Sequence, residues 1–390
     1  MDTGWRVVSF DFCDFLMANI AAVSSPFARI IIAEMLRHVA LVALVACSSE
    51  APIDLAVEAP GPNSVGTARF EIQDAARSRD LIAQAWYPTD AVASDVAIES
   101  LEIDPVRARY TDLLAAAPAC PSRTLPVTVD APAQTGLPLV MISHCHSCTR
   151  LSNATTAIRL ASHGFAVVSV EHAGDTLWET LDGNEADIDT EELEVRTADI
   201  RVALDQVIAG GTPVGAVDST RVGVLGHSMG AVTAGRVAET DPRIGAAAAL
   251  CAPMENPLIA GVTLDQIAVP LMFVIAVEDN RITEFGNKFI RDNFTAATVP
   301  AVKLEIPDAG HWSVSDLDGL VDAFAPGCGD AERQTDGEPF TYLAPDAGRA
   351  IAASYATAFF KAKLLGDPAS AGYLEHASGS FGVELSVEAK

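Results

Sequence analysis

The stretch "RVGVLGHSMGAVTAGRVAET", residues 221–240, contains an apolar run, a glycine-rich turn and a helix-favouring segment in that order. The turn, Gly226-His227-Ser228-Met229-Gly230, fits the pattern G-x-S-x-G. A serine at such a strand-to-helix turn adopts a strained backbone conformation, and its hydroxyl projects from the sheet. The helix that follows directs its N-terminus at any negative charge developing there. Ser228 is therefore the candidate nucleophile, and the alternative is a glycine-rich turn without chemistry.

The chain around this turn alternates between strand-like and helix-like segments. Continuous apolar strands that alternate with helices are typical of a mostly parallel sheet covered on both faces. In such sheets ligands bind at the carboxyl ends of the strands. The predicted strands cover residues 67–74, 81–88, 137–144, 165–172, 221–228, 246–253, 270–277 and 301–308, the first two as a hairpin. The predicted helices cover residues 152–163, 190–209, 229–240, 285–296 and 348–365.

A serine nucleophile needs a base, and the base needs an orienting acid. The strand at residues 270–277 ends directly before Glu278 and Asp279, and the last strand leads to His311 in a loop after Gly310. The order Ser228, Asp279, His311 is the order known for this type of turn. Glu278 is the competing acid. The remaining histidines fit less well, because they precede the serine, lie inside the turn or follow the last helix.

These motifs together resemble an α/β-hydrolase, and more narrowly the bacterial esterases grouped with dienelactone hydrolases and platelet-activating-factor acetylhydrolases. The similar stretches include "LASHGFAVVSVEH", "GHSMGA", "PLMFVIAVEDNRI" and "DAGHWSVSD", within about residues 66–367. The resemblance implies an α/β-hydrolase fold with about eight strands. It also implies a serine carboxylic-ester hydrolase, without metal or cofactor, that acts on a small ester or a lipid. Dienelactone hydrolases use a cysteine where this chain has Ser228. This difference favours simple ester hydrolysis over lactone chemistry. The acetylhydrolases place their acid at a position that falls at or near Cys251 here. A cysteine cannot take that role, so the resemblance does not extend to phospholipid specificity.

The stretch "SHCHSC", residues 143–148, occupies the loop after the third strand of this fold. The resemblance implies that this loop supplies an oxyanion donor, the backbone N–H of His146 or alternatively of Cys145, together with the N–H of Met229. A zinc site and a thioredoxin-like redox pair are the alternatives, but no second closely spaced ligand pair is present. Cys145 and Cys148 are close enough in a turn to form a disulfide. Cys120 and Cys328 are a second candidate pair, and Cys251 reads as a buried thiol.

The N-terminal segment reads as an export leader. The apolar run at residues 39–46 is too short to span a bilayer as a helix, and "LVAC" followed by two serines resembles a lipobox with Cys47 as the lipidated residue. A buried apolar segment with a chance cysteine is the alternative, and the start codon is Met1, Met17 or Met35. The predicted organisation is a leader at residues 1–47, a tether at 48–66, the hydrolase domain at 67–370 and a tail at 371–390. We thus expect an exported lipoprotein on the periplasmic or cell-surface side of a membrane.

The formal net charge of −27 argues against nucleic-acid binding, because that function needs a cationic surface. Two other function classes stay open from the sequence. One is a lipid-anchored, non-catalytic binding protein on a hydrolase scaffold. The other is a peptidase or acyltransferase on the same fold.

Overall fold

The computed structural model describes residues 53–324, 327–376 and 381–390. The predicted leader and Cys47 lie outside the described residues. The described strands are β1 (Ser64–Asp74), β2 (Arg79–Thr89), β3 (Ser94–Ala97), β4 (Thr124–Val129), β5 (Leu137–Ser143), β6 (Ala166–Glu171), β7 (Val217–His227), β8 (Ile244–Leu250), β9 (Leu271–Ala276), β10 (Ala301–Ile306), β11 (Asp330–Glu332), β12 (Pro339–Thr341) and β13 (Ser386–Ala389).

The described α-helices are α1 (Val106–Ala116), α2 (Ala154–Ser162), α3 (Leu177–Leu181), α4 (Thr190–Ala209), α5 (Met229–Thr240), α6 (Thr283–Ala296), α7 (Pro345–Leu365) and α8 (Pro368–Tyr373). Short 3-10 helices cover Leu55–Glu58, Ile98–Leu101, Leu264–Gln266 and Asp322–Phe324. Within these described parts, no helix is long and apolar enough to cross a bilayer.

Eleven strands form one sheet in the order β3-β4-β1-β2-β6-β5-β7-β8-β9-β10-β13. The strands from β6 to β10 pair in parallel, whereas β1 and β2 form an antiparallel hairpin. The predicted fold class and hairpin are therefore confirmed, and the eight predicted strands form the continuous middle of the sheet. The three additional strands, β3, β4 and β13, lie at its two edges.

Two apolar cores cover the two faces of the sheet. Alternate residues of one strand enter different cores, as a strand's alternating side chains require: Val140 and Ile142 face one core, and Leu139 and Met141 the other. Helices α2 and α7 cover the first face, and α4, α5 and α6 cover the second. The loops at the carboxyl ends of β5, β7, β9 and β10 remain free to build a site.

The predicted boundaries of the domain need correction at both ends. At the predicted tether, Val57 is buried in the first core and the Asp54 carboxylate pairs with Lys361 of α7. Strand β1 already begins at Ser64. At the predicted tail, β13 pairs antiparallel with β10, and Tyr373 is buried. Burial and backbone pairing thus attach residues 54–66 and much of 371–390 to the domain.

Candidate active site

Ser228 lies at the tip of a tight turn between β7 and α5. Its backbone has φ 56° and ψ −120°, a left-handed conformation that a non-glycine residue rarely adopts. Gly226 and Gly230, on either side of Ser228, must be glycine because neighbouring backbone atoms leave no room for a Cβ atom. A Cβ atom at Gly226 would lie 1.8 Å from the Gly230 oxygen, and one at Gly230 would lie 2.1 Å from the Ser143 oxygen. The turn therefore packs the start of α5 directly against the end of β5.

His311 and Asp279 form a buried pair beside this turn. His311 Nδ1 donates to Asp279 Oδ2 at 2.7 Å, and both side chains are fully buried. The other oxygen, Asp279 Oδ1, accepts the backbone N–H groups of Arg281 and Ile282 at 2.9 Å each. His311 Nε2 is buried and has no hydrogen-bond partner among the described residues. Nε2 is thus left as the ring nitrogen with capacity to take a proton.

Glu278, the competing acid, is engaged elsewhere. Its carboxylate contacts Arg333 at 2.9 Å and accepts the Gln334 backbone N–H at 3.1 Å. The other histidines also have separate partners. His227 of the turn donates from Nε2 to the His311 carbonyl at 3.0 Å, which ties the two loops together.

Ser228 and His311 line one cavity of about 790 Å³. Met229 and His146 line it as well, whereas Cys145 is fully buried and does not. The walls are mainly apolar, and several large apolar side chains at the cavity are exposed to solvent. These exposed residues, called the apolar rim below, are Leu181, Ile188, Leu258 and Phe285.

The loop at residues 143–148 is closed by a disulfide between Cys145 and Cys148, whose Cα atoms are 5.3 Å apart. Both sulfurs are used in this bond, so neither is available as a thiolate ligand for zinc. A second disulfide joins Cys120 to Cys328, and Cys251 is a buried free thiol. Burial raises the pKa of the Cys251 thiol well above its ordinary value.

A buried ion pair, Arg196 and Asp175, stabilises the loop at residues 143–148. The Arg196 guanidinium donates to the Asp175 carboxylate and to the His144 carbonyl. Asp175 Oδ1 in turn accepts the Ser147 backbone N–H at 2.8 Å. Burial alone would raise the pKa of Asp175, but the Arg196 guanidinium lowers it well below its usual range.

The His146 side chain lies between two carboxylates. Its Nδ1 is 2.8 Å from Asp175 Oδ1, and its Nε2 donates to Glu185 Oε1 at 3.0 Å. Burial alone would lower the pKa of His146, but these carboxylates raise it above its ordinary value. The sequence predicts a role for the His146 backbone but does not point to Asp175, Arg196 or Glu185. One sequence feature could have identified Arg196 as a buried residue: it falls on the apolar face of α4, three residues after Leu193 and four before Ile200.

Comparisons with known proteins find similarity to several hydrolases. A family model described as PETase, PET hydrolase-like, matches residues 128–312, which include the 143–148 loop, Ser228, Asp279 and His311. Lipase 1 of Moraxella sp. (strain TA144) is 30% identical over 157 residues, which are 40% of this chain and 42% of that lipase. Cutinase 2 of Thermobifida cellulosilytica is 28% identical over 194 residues, 47% of this chain and 68% of the cutinase. The chain thus spans less than half the length of the first of these relatives.

The structure is also similar to a solved ferulic acid esterase from Streptomyces cinnamoneus. The TM-score is 0.64 at 23% identity, with 85% of this chain and 98% of the esterase chain covered. The chain has the α/β-hydrolase fold. A lipase, a cutinase and a ferulic acid esterase are thus among the proteins that it is similar to. They support the broad resemblance to esterases of this fold. They do not support the narrower one to dienelactone hydrolases and acetylhydrolases.

Proposed function

We propose that this protein is a serine carboxylic-ester hydrolase. The observation that carries the proposal is one arrangement around one cavity. Ser228 sits on a strained strand-to-helix turn at this cavity. His311 Nδ1 is bonded to Asp279, and His311 Nε2 has no partner within the described part of the chain. This is the arrangement that activates a serine hydroxyl.

In the proposed mechanism His311 Nε2 takes the Ser228 hydroxyl proton as Oγ attacks the ester carbonyl. Asp279 orients the ring and stabilises its charged form. The N–H groups of Met229 and His146 hold the oxyanion. The His146 N–H has no acceptor among the described residues, and that of Met229 begins helix α5. His311 then protonates the departing alcohol, and water attacks the acyl-serine with His311 again as base.

The proposed substrates are esters with apolar groups. The cavity is bordered by the apolar rim, with Phe285 61% and Leu258 76% exposed. The carboxylates of Glu185 and Asp322 and the guanidinium of Arg281 also line it. The mainly apolar walls favour apolar acyl or aromatic groups. The names of the relatives, lipase, cutinase and ferulic acid esterase, are in keeping with this range.

The test is hydrolysis of p-nitrophenyl esters of increasing acyl length by the wild type and by Ser228→Ala. We expect the variant to lose at least a thousandfold in kcat, because the nucleophile is absent. The matched control Ser100→Ala removes an exposed hydroxyl that lies outside the cavity and donates to the Ala97 carbonyl, and it should stay within a few-fold of the wild type. A wild type that neither hydrolyses esters nor reacts with a fluorophosphonate would instead indicate a binding protein. Transfer of the acyl group to added alcohol in preference to water would indicate an acyltransferase.

We further propose export and anchoring through Cys47. The two disulfides of the described domain support an oxidising compartment, since disulfides persist there. Cys47→Ser should shift the protein from the membrane fraction to the soluble fraction of the producing bacterium. An unchanged distribution would contradict the anchor.

A further inference from the structure

The direction of the His146 N–H depends on the carbonyl that precedes it. In a trans peptide, the C=O of one residue and the N–H of the next point to opposite sides. The peptide between Cys145 and His146 is trans, since the described cis bond is Asp104–Pro105. Whatever holds the Cys145 carbonyl therefore fixes where the His146 N–H points.

Two donors hold that carbonyl. The ring Nδ1 of His144 lies 2.6 Å from the Cys145 oxygen, and the Cys148 N–H donates to the same oxygen at 3.2 Å. The Cys148 contact closes the same turn as the disulfide. The His144 contact is the shorter, and it comes from a side chain that does not line the cavity.

The tautomer of His144 follows from its other nitrogen. His144 Nε2 lies 3.0 Å from the backbone N of His172, which can only donate. Nε2 must therefore accept, and Nδ1 must carry the proton that is donated to Cys145. The ring is buried and packs against the His172 ring with 4.8 Å between centroids. Burial lowers the pKa of His144 well below its ordinary value, in keeping with a neutral ring.

The ring that supports His144 is itself fixed. His172 Nδ1 donates to Asp199 Oδ2 at 3.1 Å, and His172 Nε2 is 2.9 Å from the Ser143 hydroxyl. The carbonyl of His144 is bonded to Arg196. His144 is thus held at its ring and at its backbone by groups that are distant in sequence.

We propose that His144 is a positioning residue for the oxyanion hole. Its Nδ1–H fixes the peptide between Cys145 and His146, so that the His146 N–H is presented to the oxyanion formed at Ser228. The inference rests on the proposed function, since it assigns a role within that site.

Two substitutions separate positioning from simple packing. His144→Asn keeps an amide donor at about the distance of Nδ1 from the backbone, and His144→Gln keeps a polar group at about the distance of Nε2. We expect His144→Asn to stay within about fivefold of the wild-type kcat. His144→Gln should lose about a hundredfold with little change in KM, the lower end of the loss of one oxyanion donor. A role in packing alone would lower both variants alike, and equal kcat values for the two would overturn the proposal.

A second readout uses 1-butaneboronic acid, whose serine adduct carries a tetrahedral oxyanion. Its inhibition constant should rise for His144→Gln in parallel with the loss of kcat, because transition-state analogues report oxyanion stabilisation. An unchanged inhibition constant in His144→Gln would contradict the proposal.

A third measurement needs no variant that might misfold. Imidazole nitrogen NMR of the wild type should show His144 neutral with the proton on Nδ1, and a proton on Nε2 would overturn the inference. Failure of the proposed function is distinguishable, because it would appear as absence of Ser228-dependent hydrolysis in the wild type. The NMR result would be unaffected by that outcome.

Discussion

Two sides of the cavity meet at Ser228, and they are stabilised in different ways. On one side, His311 and Asp279 follow neighbouring parallel strands, and their side chains share one hydrogen bond. On the other side, the 143–148 loop is fixed by a disulfide and by a buried network that includes His172, Asp175 and Arg196. The chemistry proposed for the first side depends on a few side chains. The backbone geometry of the second side depends on many contacts around the loop.

The largest expected effect tests the acid of the first side. Asp279→Asn should lower kcat by about 10⁴-fold with little loss of stability, because the histidine then takes the wrong tautomer. The matched control is Glu278→Gln, which changes the adjacent acid that pairs with Arg333. The control should change kcat less than tenfold. Steady-state kinetics that place the larger loss at Glu278 would reverse the assignment.

The next effect tests the buried charge of the second side. Arg196→Met leaves Asp175 buried without its guanidinium partner and should cost about 3–5 kcal/mol in the free energy of unfolding. Arg236→Met removes a partly exposed arginine of the same fold, paired with Glu194 and Glu239. That control should cost less than about 1 kcal/mol. Urea unfolding measures both, and equal losses would mean that the network does not stabilise the domain.

Acid should weaken the second side through His172. Burial, with the nearby Arg196 charge, lowers the pKa of His172 to about 4. The unfolded chain therefore binds this proton more readily than the folded chain does. As a result, the stability that neutral His172 contributes is fully present above about pH 6.5. It is lost as the pH falls through about 4. The stability difference between the wild type and His172→Asn should therefore shrink by about 2–3 kcal/mol between pH 7 and pH 4.

The control for this titration is Thr111→Val, which changes an exposed hydroxyl and no titratable group. Its stability difference from the wild type should be the same at both pH values. Urea unfolding at a series of pH values gives both differences. A His172 difference that is constant from pH 7 to pH 4 would contradict the neutral, buried ring.

The smallest expected loss of kcat comes from opening the disulfide of the 143–148 loop, and the second disulfide is its control. Cys145→Ser/Cys148→Ser should lower kcat about tenfold, because the backbone contacts of the loop remain while its covalent closure is lost. Cys120→Ser/Cys328→Ser opens a link across 208 residues and should cost about 2–5 kcal/mol in stability, with kcat changed less than threefold. If kcat responded only to the second pair, the first disulfide would have no part in shaping the loop.

The part of the fold that local patterns predict is the middle of the sheet. Each of its eight strands is a long apolar run or half of a hairpin, so the local hydrophobic pattern is enough to predict it. The edge strands β3, β4 and β13 are short and partly polar. Their pairing depends on which neighbour the folded chain brings to them, and that information is not local.

The same contrast applies to the candidate site. The residues Ser228, Asp279 and His311 follow from their places after strands. Arg196 and Asp175 could not be paired in advance, because they meet only when α4 packs beneath the loop after β5. The two disulfides were candidates from spacing and loop composition, but five cysteines in the domain leave several pairings open.

The apolar rim has a consequence for self-association of the protein. It is an exposed apolar patch on a chain whose formal net charge is −27. Contact between two rims is a short-range attraction, whereas charge repulsion acts over the Debye length, about 30 Å at 0.01 M salt and about 3 Å at 1 M. The protein should therefore stay dispersed in dilute salt. In concentrated salt it should self-associate through the apolar rim or adsorb to other apolar surfaces.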